Sequence, residues 1–590
     1  MKKWFGLVAV IACAMQVFAA VEIGTVDDFV NNVVADPSGD YILTADLTFD
    51  KLAAIPEFSG TLDGDGHKIT GTISNFMGTV TGTIKNLTIH GLNFEHQRIK
   101  SNAVAPMGGF ALLLQGGTIS NCTLLDSSLT MPNGYLANVT DVGFGGIVAH
   151  VAGGSISDCK IIGCTIGGRT SEPSQLQPFG GIVGRVMTED QVTITRCQVL
   201  NGETQDTTIA GCRVGGIVGS ATSLANVRIE GCYNEGVISN AVLEVGGIMG
   251  NCSDSNTSKA NIEICSCTNV ADITVACGGA GGIFGYTYKG GRITIIDCVN
   301  RGNISSRNNS TAHGASSGTG VGGIVGGYYS YKETGGIRID RCANYGTIFA
   351  ATNSAGGIVG EYKNGNAATQ CIISNSVNHA SVSSSYYAGG LIGALTRNAN
   401  SVTGDIVVDC GQTGDVTADG EKSAGGLIGH VLGDAKCVDN IKGVCQLGTV
   451  TAANASASPM IGATGHGEKA FTLNVNCVQI GGSATCANGT TGIITGGAEV
   501  PSTGGFTLKV DDASFFANNT GTAYYDQTGA AKVCALNKLA DGAMINGTAV
   551  KALNVYAAAN DLPLWVQTKA YPDLSLWGVP YHLGLMLLLR

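Results

Sequence analysis

Gly180-Gly181-Ile182-Val183-Gly184 returns as Gly215-Gly216-Ile217-Val218-Gly219, as Gly322-Gly323-Ile324-Val325-Gly326, as Gly356-Gly357-Ile358-Val359-Gly360 and as Gly425-Gly426-Leu427-Ile428-Gly429. With the looser copies at Gly145-Gly146-Ile147, Gly246-Gly247-Ile248, Gly281-Gly282-Ile283 and Gly389-Gly390-Leu391, the glycine pairs lie 35, 35, 31, 35, 41, 34, 33 and 36 residues apart. Gly109-Phe110 upstream, and Met460-Ile461-Gly462 and Gly492-Ile493-Ile494 downstream, extend the same stride to about 12 copies. A period held this long is the mark of a solenoid.

Each unit continues with an alternating run, seen as Val227, Ile229, Cys232 or Ile293, Ile295, Cys298 or Ile337, Ile339, Cys342. A turn of the form Asn-x-Gly follows, as in Asn234-Glu235-Gly236, Asn300-Arg301-Gly302 and Asn344-Tyr345-Gly346, and then a last short run carrying Ile238, Ile304 or Ile348. Runs of three to five residues with period-two alternation are strands, and none reaches the length of an amphipathic helix. Helical solenoids are therefore excluded, and leucine-rich repeats lack their leucine frame. The expected fold is all-β, a single right-handed parallel β-helix of 12 to 13 coils with three short strands per coil, each coil stacked about 4.8 Å above the last into a rod about 60 Å long. Ile217, Ile248, Ile283 and Ile324 should form one internal column, and Ile229, Ile264, Ile295 and Ile339 another. Two 18-residue coils per period are the alternative, but the hexapeptide rhythm of such coils is absent.

Cysteine follows the same stride at Cys122, Cys159, Cys197, Cys232, Cys267, Cys298, Cys342, Cys410, Cys445 and Cys477, with Ser376 in the equivalent slot of its unit. An isoleucine lies three positions earlier in many units, so a bend must separate the two inward residues. Buried, reduced thiols in a ladder are expected, with Cys298→Ser costing roughly 1 to 3 kcal/mol for a hydroxyl placed among apolar neighbours. Asn234, Asn269, Asn300, Asn344 and Asn378 suggest a second ladder, with Gly236, Gly302, Gly346 and Gly414 supplying the positive φ of the turn.

The 88 glycines come without an every-third-residue rule and with 11 prolines, which excludes collagen. Charged residues are 13% and hydrophobic residues 44%, which excludes a solvated disordered polymer. Net charge is -11 with no basic stripe, so nucleic acid is not an expected partner. Lys2 and Lys3, an apolar Leu7 to Ala14 and Val17-Phe18-Ala19 read as an export signal over residues 1–19, cleaved after Ala19. Val10-Ile11-Ala12-Cys13 is the rival lipobox reading, in which Cys13 becomes the lipidated first residue. No later stretch has 18 apolar residues, so no transmembrane segment is expected. Residues 20–105 read as a cap with the first coils, 106–500 as the repeats, and 501–590 as the last coils with a small helical and aromatic cap. In the first cap Val26, Phe29, Val30 and Val33 fit one helix face, and in the last Ala549 to Ala559 is the helix candidate, followed by Trp565 and Tyr571.

On these motifs the chain resembles secreted bacterial proteins with tandem GLUG-type repeats, whose unit reads Gly-Gly-Leu-Val-Gly followed by a short strand and a turn. The opening Gly60-Thr61-Leu62-Asp63-Gly64-Asp65-Gly66-His67-Lys68-Ile69 resembles the first coil of such proteins, and Gly547 to Asn554 with Trp565 resembles their closing segment. The resemblance implies an adhesin-like, exported surface protein. It brings no catalytic residues with it, and Trp577 to Arg590 matches nothing in the family.

Chemistry on a β-helix requires carboxylates gathered on neighbouring coils beside an Arg, Lys or His. Asp297 and Asp340 occupy nearly matching slots one coil apart, with Arg341 adjacent, and Asp158 and Asp409 stand in like places elsewhere. Their recurrence favours turn caps. Asp63, Asp65 and His67 read as a structural turn, a calcium loop through Asp63, Asp65 or Asp254 lacks the expected run of ligands, and the histidines share no slot, though Gly429-His430 merits inspection. No catalytic, cofactor-binding or metal residue is assigned. The expected function is an extracellular or outer-surface, non-catalytic, monomeric protein that binds a glycan or protein ligand, through loop residues 303–321 and Tyr328-Tyr329-Ser330-Tyr331. The alternatives are a polysaccharide lyase or glycoside hydrolase on the same scaffold and a purely structural envelope protein.

Overall fold

Every glycine pair of the repeat sits where the chain doubles back on itself. In the computed structural model a Cβ on Gly180 would lie 1.8 Å from the Val183 carbonyl, and one on Gly181 would lie 2.0 Å from the carbonyl of Gly216 in the next coil. Glycine lets two strands meet at so sharp an edge, and Ser458-Pro459 takes the pair's place in one later coil. The structure describes residues 19–574 except 53, 74–75, 96–105, 132–141, 169–176, 242, 253–258, 277, 289, 308–319, 331–334, 365–369, 398–401, 434–436, 467–470, 501–505, 526–529 and 569–571. Residues 1–18, which hold all but the last residue of the expected export signal and include Cys13, together with Asp254, His313, Tyr331, Tyr571 and the last residues from 575 onward, lie outside the described residues.

The architecture is an all-β parallel solenoid. One coil runs through Gln191–Thr195 in sheet 1, Gln198–Leu200 in sheet 2, Thr208–Ala210 in sheet 3, Arg213–Gly215 in sheet 4 and Val218–Ala221 in sheet 5. The five sheets hold 16, 16, 12, 12 and 14 strands respectively. A coil thus has five short strands where the sequence suggested three. The difference arises at two corners that cut apparently continuous runs: the glycine pair between sheets 4 and 5, and a left-handed residue between sheets 1 and 2. Gly180 pairs directly with Gly215, so one period is one coil and not two.

The left-handed corner is a column of its own. Asn121, Asp158, Arg196, Ser266, Asp297, Arg341, Asn375 and Asp409 all have φ between 45° and 57°, and Gly231 and Gly443 take the same place at 64° and 63°. Each stands just before the next inward residue, which explains how Ile229 and Cys232, an odd number of positions apart, both face inward. Ile229, Ile264, Ile295 and Ile339 pair in register, and Ile217, Ile248, Ile283 and Ile324 bond backbone to backbone at 2.9 to 3.1 Å. All eight are fully buried.

The asparagine ladder forms inside the coil. Asn234 donates to Asn269, Asn269 to Asn300, Asn300 to Asn344 and Asn344 to Asn378, at 2.8 to 2.9 Å, and from Asn269 onward each also donates to the carbonyl two residues on. Gln412 and Gln446 continue it. The adjoining glycines serve space rather than positive φ: a Cβ on Gly302 or Gly346 would stand 1.8 or 1.9 Å from a carbonyl of the coil below, and none of Gly236, Gly302, Gly346 and Gly414 has positive φ.

Cysteines 122, 159, 197, 232, 267, 298, 342 and 410 stack inside, each thiol donating to the carbonyl two residues back, and desolvation pushes the Cys122, Cys159, Cys197, Cys232 and Cys298 thiols well above their ordinary range. Cys445 and Cys477 do not belong to the ladder. Cys445 pairs with Gly411 on the outward side and rests 3.9 Å from the Met544 sulfur, while Cys477 occupies the left-handed corner at φ 51°; Val444 and Val478 fill their coils' inward slots. All 17 described cysteines are free thiols. Alkylation of the native protein followed by intact-mass measurement is expected to label Cys486 and Cys534, with the buried ones reacting after unfolding; native labelling at Cys298 would contradict the ladder. The serine that replaces cysteine in one coil shows what Cys298→Ser costs. Ser376 donates to the Ser374 carbonyl at 2.7 Å and accepts from Cys342 N at 3.1 Å, so a hydroxyl in this slot is satisfied and the expected loss falls to about 1 kcal/mol or less.

The ends are closed differently. Val26–Asp28 is a helical turn capped by Thr25 and continued by Phe29–Val34 as a wider helix; Phe29 and Val33 are buried over the first coils, whereas Val30, placed on the same face by the sequence reading, is 44% exposed. At the other end helix Thr548–Ala559 and the hairpin Trp565–Gln567 with Pro572–Leu574 fold back along the outside of sheet 2. The outward column of that sheet is polar through Lys160, Gln198 and Thr268, then turns apolar through Val299, Ala343, Val377, Gly411 and Cys445. The change of character falls where this cap covers the sheet.

Candidate functional site

The outward side of sheet 1 carries the side chains that the core does not use. Three outward columns run along it, and in adjacent coils they read Arg292, Thr294, Ile296, then Gly336, Arg338, Asp340, then Gln370, Ile372, Ser374. Gly336 leaves a gap between Arg292 and Gln370 where its column-mates carry long side chains. Around that gap lies an open cleft of about 470 Å³ lined by Arg292, Thr294, Ile296, Arg338, Gln370 and Ile372. Arg292 has no ion pair among the described residues, and Arg338, 61% exposed at its side chain, stands 3.6 Å from Asp340. Sequence reasoning missed this cleft, although Arg292, Arg301, Arg307, Arg338 and Arg341 concentrate charge on two coils of an arginine-poor chain.

Beside the cleft the structure does bring Asp297 and Asp340 together, but not in matching slots. Asp297 shares the left-handed corner with Arg341, while Asp340 pairs with Ile296 one residue earlier. Arg341 grips Asp297 with two nitrogens at 2.7 and 2.9 Å and Asp340 with a third at 2.8 Å. Asp340, buried, also accepts from Ser374 at 2.8 Å and from Asn375 at 2.7 Å. Asp340 is thus buried and engaged on both oxygens, and the charge of Asp297 is neutralised by the two-nitrogen grip of Arg341. The same clamp recurs where Arg196 holds Asp158 at 2.7 Å through two nitrogens and keeps its carboxyl below the usual range. Bidentate pairs of this kind tie one coil to the next at a corner.

The remaining flagged residues are structural. Asp63 accepts from Asp65 N at 3.0 Å and Asn86 at 2.9 Å and pairs with Lys85, while His67 meets Asp46 at 3.2 Å. Asp409 lies beneath the C-terminal cap, in contact with Trp565. Tyr328, expected at the surface, is interior, stacked on Tyr362 at 5.2 Å; only Tyr329 of that group is seen outside, packed on Tyr288 with Lys363 over its ring. His430 is buried in the seam between sheets 4 and 5, stacked on Tyr387 at 4.2 Å. Two strands lower in the same seam, burial raises the Glu361 carboxyl to about 7, a feature no motif signals. Among the described residues no three His, Cys, Asp or Glu side chains are placed to hold a metal ion, and no helix is long and apolar enough to cross a membrane.

No family model matches the chain, and no curated protein does. Solved structures similar to it include one named "IgA1 Protease", with 18% identity, a TM-score of 0.35, and 48% of this chain against 21% of that one. Another is described as a "putative immunoglobulin A1 protease from Bacteroides ovatus", with 18% identity, a TM-score of 0.33, and 52% of this chain against 84% of that one. The chain thus spans about a fifth of the first of these proteins. Their names correct the expectation of a non-catalytic protein, since both neighbours are called proteases. At these scores and identities the likeness carries no argument for peptidase chemistry on this chain.

Proposed function

We propose that the chain is an exported protein of the extracellular space or outer surface, adhesin-like and akin to GLUG-repeat proteins, whose solenoid binds a host or microbial polymer. The observation that carries this reading is the cleft over sheet 1, which is open, shallow and set on the flank of a long rod, so that a chain can lie across it without threading its end. Its lining mixes guanidinium, hydroxyl, amide and apolar groups, the combination by which proteins hold extended, hydrated ligands. The charged start of the chain and the apolar run after it support export.

Asp297 and Asp340 give the polysaccharide lyase or hydrolase reading no support, because the Arg341 clamp occupies both. A glycan array together with a whole-cell adherence assay tests the proposal. Retention on at least one polymer class is the expected result, and silence in both assays would leave a structural envelope role as the better account.

A further inference from the structure

We infer that the cleft on sheet 1 selects an acidic polysaccharide, with Arg292 and Arg338 holding the carboxylate or sulfate of one sugar while rings of the polymer lie against Ile296 and Ile372. The inference rests on the polymer-binding reading above and narrows it to one ligand chemistry.

Charge comes first. The protein as a whole carries -11, yet the ionisable side chains that line the cleft are Arg292 and Arg338. Asp297 is neutralised by two nitrogens of Arg341, and Asp340 receives Arg341, Ser374 and Asn375. Glu263, one coil below Thr294, is held by Arg228 at 2.5 Å, and Arg228 also bonds Glu230 at 3.0 Å. That leaves Arg292 with no ion pair among the described residues and Arg338 with a single 3.6 Å neighbour. With Arg228, Glu230 and Glu263 counted beside Arg341, Asp297 and Asp340 the surroundings are not positive overall, so the positive charge is local to Arg292 and Arg338, the ionisable side chains that line the cleft itself. A neutral sugar would leave that charge unused.

Geometry gives the second step. Arg292 stands beside Gly336, and Arg338 beside Thr294, so the two guanidinium stems rise from adjacent strands two residues out of step, about 8 Å apart at Cα. Planar forks at that spacing can close on one anionic group from two sides. Thr294, beside Arg338, and Gln370, across Gly336 from Arg292, offer a hydroxyl and an amide, and Ile296 and Ile372, both partly exposed, are two apolar patches on the strands either side of the one that carries Arg338. Apolar patches set among polar groups fit the successive sugar rings of a polymer, whose faces are C–H and whose rims are hydroxyl.

Other polyanions fit less well. Among the described residues no aromatic side chain lines the cleft, so stacked bases of single-stranded nucleic acid find no platform there. An acidic peptide could not add as a strand, because Arg292–Ile296, Gly336–Asp340 and Gln370–Ser374 are each paired with strands on both sides.

The test uses the full chain in affinity electrophoresis and calorimetry against polygalacturonate, dextran sulfate, unmodified dextran, poly-glutamate and single-stranded DNA. Binding to polygalacturonate, dextran sulfate or both, without dextran, is expected, and which of the two binds tells carboxylate from sulfate. Arg292→Gln and Arg338→Gln should each weaken it about tenfold, since each removes a charge-assisted hydrogen-bond donor, while Arg196→Gln, at a distant corner clamp, should not. Binding to dextran alone would overturn the anionic class and leave polymer binding standing. Binding to none of the polymers would remove the polymer reading itself. Retention of full affinity in both arginine variants would overturn the site, and preference for DNA or poly-glutamate would overturn the ligand.

Discussion

Gly323→Val is expected to destabilise the solenoid by on the order of 4 kcal/mol, a loss in the range where single substitutions unfold proteins. A Cβ at position 323 would stand 2.0 Å from the Gly357 carbonyl above it and 2.4 Å from the Asn344 side-chain carbon. Neither can yield. The carbonyl belongs to the next glycine corner, and Asn344 is held by donation to Asn378 at 2.8 Å and to the Gly346 carbonyl at 2.9 Å. Moving it would break the buried amide ladder on both sides, leaving polar groups unpaired at a further cost of about 1 to 3 kcal/mol each. Gly91→Ala is the comparison, because Gly91 has φ 72° and nothing within 4 Å of an added Cβ, so its cost is only that of a left-handed residue, about 1 kcal/mol. Urea unfolding of the two variants separates crowding from conformation. Equal midpoints would mean that the glycine corner is not packed as described.

The glycine corner was legible because it combines a rigid requirement with a repeat. The same holds for the isoleucine columns and for most of the cysteines, where residue type and stride agree. What escaped the sequence was register at the level of a single residue. Cys445 follows Cys410 by one repeat, yet Gly443 takes the left-handed corner and Val444 the inward slot, which turns Cys445 outward beneath the cap. Asp340 likewise falls one residue from the slot of Asp297, since Arg341 holds the corner in its coil. Spacing cannot see such offsets, because the loops between strands absorb single residues freely. The cleft was hidden for the same reason. Its gap at Gly336 exists only by comparison with the residues stacked above and below it. Five strands were read as three because sheets 2 and 4 contain strands as short as two residues, such as Val299–Asn300 and Ala280–Gly281, too short to show alternation.

Trp565→Ala is expected to free the C-terminal cap from sheet 2 at a cost of about 3 to 5 kcal/mol to its docking, as for other buried tryptophans. Trp565 is 2% exposed, packed with Leu553, Leu574 and Val377, and its indole nitrogen donates to Asp409 at 2.6 Å. That contact also makes docking depend on pH. Burial raises the Asp409 carboxyl to about 7 despite the indole, so the docked form favours the protonated acid. A group raised in this way contributes stability that is full below its free value near 3.8 and is lost as pH climbs through about 7. Two other groups share the interface: burial raises Asp573 to about 6, which acts in the same direction, and lowers His379, 3.7 Å from it, to about 4, which acts in the opposite one between about 4 and 6.5. Asp409→Asn isolates the first contribution, since the amide oxygen still accepts from the indole and no charge is desolvated. Hydrogen exchange over Thr548–Ala559 should then be slower in Asp409→Asn than in the parent chain at pH 8, and the difference should shrink toward zero as the pH is lowered to 4. If instead the two proteins exchange alike at pH 8, Asp409 carries no charge cost, and the cap is held by its apolar column alone.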